Sequence, residues 1–189
     1  DGVVVDGFNQ GRIAMQHLLE MGHRRIGLVD TTADAPTYDD IREGMQAVLA
    51  DAGMSWEDLE RVSLSEADLD PEEPWANGER GASKLLAEHD NLTALLGINP
   101  HITLGCYRAV RATGRRVGHD VSVLAIGSDL PTFALLQPSI SVVDSPMEQI
   151  GERAAMRLRK LINSDGGRSR ITEMPPTLIR RDSVQEISH

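Results

Sequence analysis

Short runs of aliphatic and β-branched residues alternate with longer amphipathic stretches along nearly the whole chain, and this alternation limits the fold more than any other feature. Residues 2–6 (GVVVD), 26–30 (IGLVD), 93–98 (TALLGI), 121–126 (VSVLAI) and 139–143 (SISVV) read as strands. Weaker strands fall at 61–64 and about 176–180. Between them, apolar residues recur at helical spacing. The helix expected over 10–21 carries Ile13, Ala14, Leu18 and Met21, with Gly22 as its stop. That over 40–52 carries Ile41, Met45, Val48 and Leu49 before Gly53. Further helices are expected over 75–88, over 100–113 with Asn99 as N-cap and Pro100 at the first helical position, and from Ser145 to Ile162. The last opens on a capping-box sequence, Ser145-Pro146-Met147-Glu148, and turns Ile150, Ala154, Leu158 and Leu161 to one side. Strands alternating with helices over short connections imply an α/β fold, a doubly wound and mainly parallel sheet covered on both faces.

In such sheets ligands bind beyond the carboxyl ends of the strands. Attention therefore goes to residues 30–39, 99–103 and 127–132. Composition narrows what could bind there. Nineteen basic against 29 acidic residues give a formal charge of −10, and a chain this acidic is a poor partner for polyanions. The single cysteine, Cys106, excludes an intrachain disulfide and suits a reducing compartment. No apolar run reaches the roughly 18–20 residues of a membrane span, and no signal-peptide core opens the chain. The start at Asp1 rather than Met suggests a trimmed chain or a fragment.

Enzyme motifs are missing: no G-x-G-x-x-G, Walker loop, G-x-S-x-G elbow or H-E-x-x-H appears. The six histidines, His17, His23, His89, His101, His119 and His189, are too scattered to ligate a metal and read as solvated or capping residues. Cys106 reads as a buried, inert thiol. The pairs Arg24-Arg25, Arg115-Arg116 and Arg180-Arg181 are too dispersed for a DNA-binding patch. Asp34, Asp39 and Asp40 could hold a hydroxylated ligand, while Asp39 or Asp40 could equally cap the next helix. Arg42, expected in the first turn of its helix where a cation opposes the helix dipole, is either a surface charge or a fork of donors aimed at a ligand.

Several of these blocks together resemble one family. The stretch Gly11…His17-Leu18-Leu19-Glu20-Met21-Gly22-His23-Arg24-Arg25-Ile26-Gly27-Leu28 is similar to the "G…A…HL…GHRRIG" segment of the LacI/GalR transcriptional regulators. So are Arg42-Glu43-Gly44 with Leu49 and Gly53, Leu104-Gly105, Asp120-Val121-Ser122-Val123, and Gln137-Pro138-Ser139-Ile140-Ser141-Val142-Val143. The likeness runs on through Pro146, Gly151, Ala155 and Leu158 to the closing Pro176-Thr177-Leu178-Ile179-Arg180-Arg181-Asp182-Ser183. Two positions depart from the pattern: Pro100 follows Asn99 in place of an aspartate, and the G-F-D-D block reads Ala125-Ile126-Gly127-Ser128-Asp129.

The resemblance implies a two-lobed, type I periplasmic-binding-protein-like sensor, with 7–144 and 165–189 forming the second lobe and 1–6 with 145–164 as remnants of the first. It implies a cytoplasmic, non-enzymatic regulator without catalytic residue, cofactor or metal. A small-molecule effector, a sugar or a nucleobase-like compound, would lie between the lobes against Arg42, Asn99 and Asp129. A homodimer would form through Leu104 on the helix over 100–113 and the loop near Phe133 to Leu136, and operator DNA would be bound only through a headpiece outside these residues. The alternative is a solute-binding component of a transport system with the same fold.

Overall fold

The computed structural model describes residues 1–32, 36–65, 73–162 and 170–187. In chain order the elements are β1 (Gly2–Val5), α1 (Gly7–Glu20), β2 (Ile26–Thr31), α2 (Pro36–Asp51), β3 (Glu60–Leu64), α3 (Pro74–Glu88) and β4 (Ala94–Gly97). There follow α4 (Pro100–Ala112), β5 (Ser122–Gly127), α5 (Pro131–Leu135), β6 (Ser141–Asp144), α6 (Met147–Ile162), β7 (Ile171–Met174) and β8 (Thr177–Ile179). Asp34 and most of the acidic stretch after Ser65 lie outside the described residues.

Strands β3-β2-β4-β5-β6-β8 form one six-stranded sheet, parallel throughout except for the antiparallel edge strand β8. The chain order reverses between β2 and β4, so a crevice opens there at the carboxyl ends. Burial follows from the parallel arrangement. All six residues of β2 and all four of β4 are buried, because helices cover both faces.

The helices sit as two tight pairs, α1 with α2 and α3 with α4. Glycine makes the contact backbone to backbone. A Cβ on Gly11 would lie 1.8 Å from the Ile41 carbonyl oxygen, and one on Gly44 would lie 2.0 Å from that of Phe8. In the second pair, a Cβ on Gly105 would meet the Glu79 amide at 2.2 Å, and one on Gly78 the Ile102 carbonyl at 2.3 Å.

A second, two-stranded parallel sheet joins β1 to β7, with α6 against β1. This corrects the sequence-based boundary. Residues 171–174, grouped with 7–144 on the sequence, hydrogen-bond instead to Gly2–Val5. The strand is short and its ITEM sequence carries a charge, so nothing in it sets its partner. No residue of α6 is buried, and Met156, Leu158 and Ile162 are exposed. The Ser145 hydroxyl, predicted to cap this helix, accepts a 2.9 Å hydrogen bond from Gln10 Nε2 on α1.

Two histidines also depart from expectation, since His17 and His23 are buried rather than solvated. His23 follows α1, with Nδ1 3.0 Å from Thr93 Oγ1 and the ring beside the Gln185 backbone. Burial pushes its pKa down to about 4, and lowers that of His17 as well. Cys106 behaves as read, fully buried with its thiol pushed up to about 12 by burial. Among the described residues, no helix is long and apolar enough to cross a membrane.

Two expectations follow. Gly44→Ala forces a Cβ into the Phe8 backbone and costs about 1–3 kcal/mol or more of overpacking, whereas Gly151→Ala, open on an exposed helix, gains about 0.5–1 kcal/mol. Urea denaturation of the two variants measures the contrast. His23 has a folded pKa below its unfolded value, so the unfolded chain binds the extra proton between the two. Its contribution to stability is therefore full above about pH 6.5 and is lost as pH falls toward 4. From about pH 7 to about pH 5 His23 accounts for about 2 kcal/mol of lost stability, and His23→Gln flattens the profile by that amount.

Candidate ligand-binding cleft

Three chain segments pass between the two sheets: β1 into α1 through Asp6, β6 into α6 through Ser145 and Pro146, and β7 into β8 through Pro175 and Pro176. They are laced together. The Asp6 amide donates to the Met174 carbonyl at 3.0 Å, and the Ser145 amide to that of Gly127 at 3.2 Å. Gln10, 1% exposed, spans the junction by donating from Nε2 to Ser145 Oγ and, at 3.4 Å, to the Val143 carbonyl.

Above this junction lies a cleft of about 340 Å³. Its wall is built from strand ends, as the parallel topology requires. Ile98, Asn99 and Pro100 follow β4, Ile126 to Ser128 close β5, Ser145 follows β6, and Val5 ends β1. The first turns of α2 add Thr37, Tyr38 and Ile41. Branched aliphatic side chains and one aromatic ring thus face amide and hydroxyl groups, the lining of a site for a compact polar ring. No charged side chain lines the cleft among the described residues.

Asn99 does line it. The residue is extended (φ −147°, ψ 167°) and caps α4, with Oδ1 accepting from the Ile102 amide at 2.9 Å. Its Nδ2 makes no hydrogen bond to the described residues. Gly127 shows why the wall needs glycine here. Its φ is +111°, and a Cβ would stand 2.9 Å from Pro100 Cδ.

Arg42 and Asp129 flank the cleft without lining it. Arg42 stands in the second turn of α2, since the helix starts earlier than expected, at Pro36. Its Nε donates to Asp30 Oδ2 at 2.9 Å and its Nη2 to Asp30 Oδ1 at 3.1 Å, a two-pronged pair. Nη2 also reaches the Thr31 carbonyl at 2.5 Å, and Nη1 reaches Asp39 Oδ1 at 2.7 Å. Donating to the Asp30 carboxylate raises the already high pKa of Arg42. Asp129 is held by Arg181 through Nη1 to Oδ1 at 2.8 Å and Nη2 to Oδ2 at 2.5 Å, while its amide donates to Asp144 Oδ1 at 2.7 Å. Burial pushes the Asp144 carboxyl up. Asp39 serves Arg42, and Asp40 is exposed.

Gln10, Asp30 and Arg181 were not singled out from sequence. Gln10 had a signal, a polar residue four before Ala14 on the helix's inward stripe. Asp30 had another, a carboxylate ending an otherwise apolar run. Arg181 had none beyond being one of several basic pairs. Among the described residues, no three His, Cys, Asp or Glu side chains gather to hold a metal ion.

On the opposite side of α4 a groove of about 590 Å³ runs between α3 and α4, lined by Trp75, Leu104, Tyr107 and Leu136 with Glu79 and Arg108 paired at its rim. Leu104 is half-buried there. Ile102, Tyr107 and Val110 are buried in the core. Phe133 requires a correction. It is 0% exposed and fills the core beneath α5, so its side chain cannot meet a partner; Leu135, 80% exposed, is the apolar residue that faces outward.

A model of the periplasmic binding protein-like domain matches residues 15–184. The chain belongs to that family. It is 29% identical over 186 residues to an HTH-type transcriptional repressor PurR from Erwinia tasmaniensis, a match covering 98% of this chain and 52% of the relative. The solved LacI family transcriptional regulator from Enterococcus faecium with bound ribose superposes with a TM-score of 0.83 at 20% identity, covering 100% of this chain and 66% of that one. The transcriptional regulator CelR in complex with cellobiose superposes with a TM-score of 0.82 at 25% identity, covering 96% and 53%. These relatives bear out the LacI-type resemblance read from the sequence and the periplasmic-binding-protein-like α/β fold. The chain spans about half the length of the curated relatives it matches.

The cap sets one expectation for this family member. Asn99→Ala removes the acceptor for the Ile102 amide and costs about 1 kcal/mol, whereas Asn99→Asp keeps it. Chemical denaturation of the two variants separates the cap from any loss of ligand binding.

Proposed function

We propose that this chain is the effector-sensing part of a bacterial transcriptional regulator, non-enzymatic and cytoplasmic, whose cleft binds a small ring compound, a sugar or a nucleobase-like molecule. The observation that carries the reading is the cleft at the ends of β1, β4, β5 and β6, lined by uncharged side chains among the described residues and set where three chain segments cross between two sheets. A ligand seated there touches both sides of the crossing, so its binding energy favours one relative arrangement of the two sheets over another. Relatives named as HTH-type transcriptional repressors, and a transcriptional regulator solved with cellobiose, support the same reading.

In this reading Asn99 contacts the ligand, and Arg42 and Asp129 border the site, their charges already engaged by Asp30 and Arg181. The unit built on 7–144 carries the sheet, and 1–6, 145–164 and β7 supply the facing side. Coupling to operator DNA belongs to the longer regulator, through a headpiece outside these residues. The acidic surface and dispersed basic pairs leave this part without a phosphate-binding face of its own. Self-association uses Leu104 and the α3–α4 groove as a two-fold contact.

Thermal-shift titration with a panel of uncharged monosaccharides, disaccharides, nucleosides and nucleobases tests the site. At least one class raises the midpoint, and Asn99→Asp, which keeps the cap, reduces that shift; a flat response across the panel rejects the reading. Sedimentation velocity tests the contact: a dimer that Leu104→Arg dissociates is expected, and a monomer at tens of micromolar that the substitution leaves unchanged would rule it out.

A further inference from the structure

We infer that Asp30 determines which ligands the cleft accepts: by holding the Arg42 guanidinium it keeps the site uncharged, so that a neutral hydrogen-bonding ring compound enters and phosphorylated or carboxylated compounds do not. The inference rests on the reading of this cleft as the ligand site.

The geometry is specific. Tyr38 and Arg42 are four residues apart on α2 and so share a face, and Ile41 beside them lines the cleft. A guanidinium at this place is within a side-chain's swing of the cavity. It is nonetheless spent. Arginine has five N–H donors, and two go to Asp30, one to the Thr31 carbonyl and one to Asp39. The two carboxylates differ in weight. Asp39 is 71% exposed in its side chain and is screened by water, whereas that of Asp30 is 7% exposed. Asp30 is therefore the group that cancels the charge and fixes the orientation.

The second flank of the cleft repeats the device. Arg181 is bound in both prongs by Asp129, so neither arginine beside the site offers a free fork to an anion. An incoming phosphate would have to displace a buried carboxylate from a two-pronged pair and leave that carboxylate unpaired, which costs more than the new contact returns. A neutral ligand meets no such barrier. It finds amide and hydroxyl groups on Gln10, Thr37, Asn99, Ser128 and Ser145, and a ring on Tyr38 to stack against.

Removing Asp30 should turn the site toward anions. In Asp30→Ser the guanidinium keeps only the Thr31 carbonyl and the exposed Asp39, and becomes available to an oxyanion in the cleft. Inorganic phosphate is the probe, followed through the methyl resonances of Ile41, Ile98 and Ile126 against chloride at equal ionic strength. The wild type is expected to show no saturable shift. Asp30→Ser is expected to bind in the low-millimolar range, roughly tenfold or more tighter than wild type, the effect of one charge-assisted hydrogen bond gained. Adding Arg42→Met to Asp30→Ser should abolish the gain.

Saturable phosphate binding at these methyls in the wild type overturns the inference, as does a folded Asp30→Ser that gains none. A measurement on the wild type alone guards against a variant that fails to fold. The Arg42 side-chain nitrogens should give separate, slowly exchanging NMR signals, because two-pronged pairing halts guanidinium rotation; averaged signals overturn the inference too. These readouts use no effector. A flat thermal-shift panel beside a phosphate gain in Asp30→Ser would therefore reject the effector reading and leave the role of Asp30 standing.

Discussion

A parallel sheet leaves two apolar faces, and everything else in this molecule depends on how closely helices can be laid on them. The two helix pairs approach until the backbone of one touches the backbone of the other, at Gly11 and Gly44 on one face and at Gly78 and Gly105 on the other. No side chain fits between them, so each pair behaves as a single slab over the strands. The slabs bury the whole of β2 and β4 and force the connections out at the strand ends. At the carboxyl ends those connections become the cleft wall. Gly127 belongs to the same logic, because a side chain there would press on Pro100 and narrow the wall from within.

Electrostatics then decides what kind of wall it is. Charges lie close to the cleft on both flanks, where Arg42 is paired with Asp30 and Asp129 with Arg181. Burying an ion pair gains little net stability, because desolvation offsets most of the Coulomb attraction. Its larger effect here is on position. The two-pronged geometry orients the guanidinium and ties the start of α2 to the end of β2, so that Thr37, Tyr38 and Ile41 face the cavity. The surface inside the cleft is left to amides, hydroxyls and hydrocarbon.

The two-stranded sheet and α6 are differently built. They carry exposed Met156, Leu158 and Ile162, and they are joined to the larger sheet through the three crossings and the hydrogen bonds that lace them. Gln10 is the centre of that lacing, reaching the backbone of β6 and the Ser145 hydroxyl at once. A buried amide with two acceptors from a neighbouring segment resists loss of either, because the unpaired group would be stranded away from water.

The local features were legible in the sequence because they depend on neighbours a few residues away. The alternation of strand and helix, the Asn99 cap with Pro100 behind it, the inert Cys106 and the α/β class all follow from spacing and backbone preference, and the family blocks follow from residue identity. Asn99 could be placed at the cleft because strand ends in parallel sheets point there. Contacts between distant segments could not be read. That Asp30 would claim Arg42, that Arg181 would hold Asp129 across 52 positions, and that Gln10 would span to Ser145 depend on how strands and helices are laid against one another. The pairing of β7 with β1 and the burial of Phe133, His17 and His23 are of the same kind. Helical periodicity and capping are set by chain geometry within a turn or two, whereas burial and charge pairing are set only when the sheet brings remote residues together and removes the water between them.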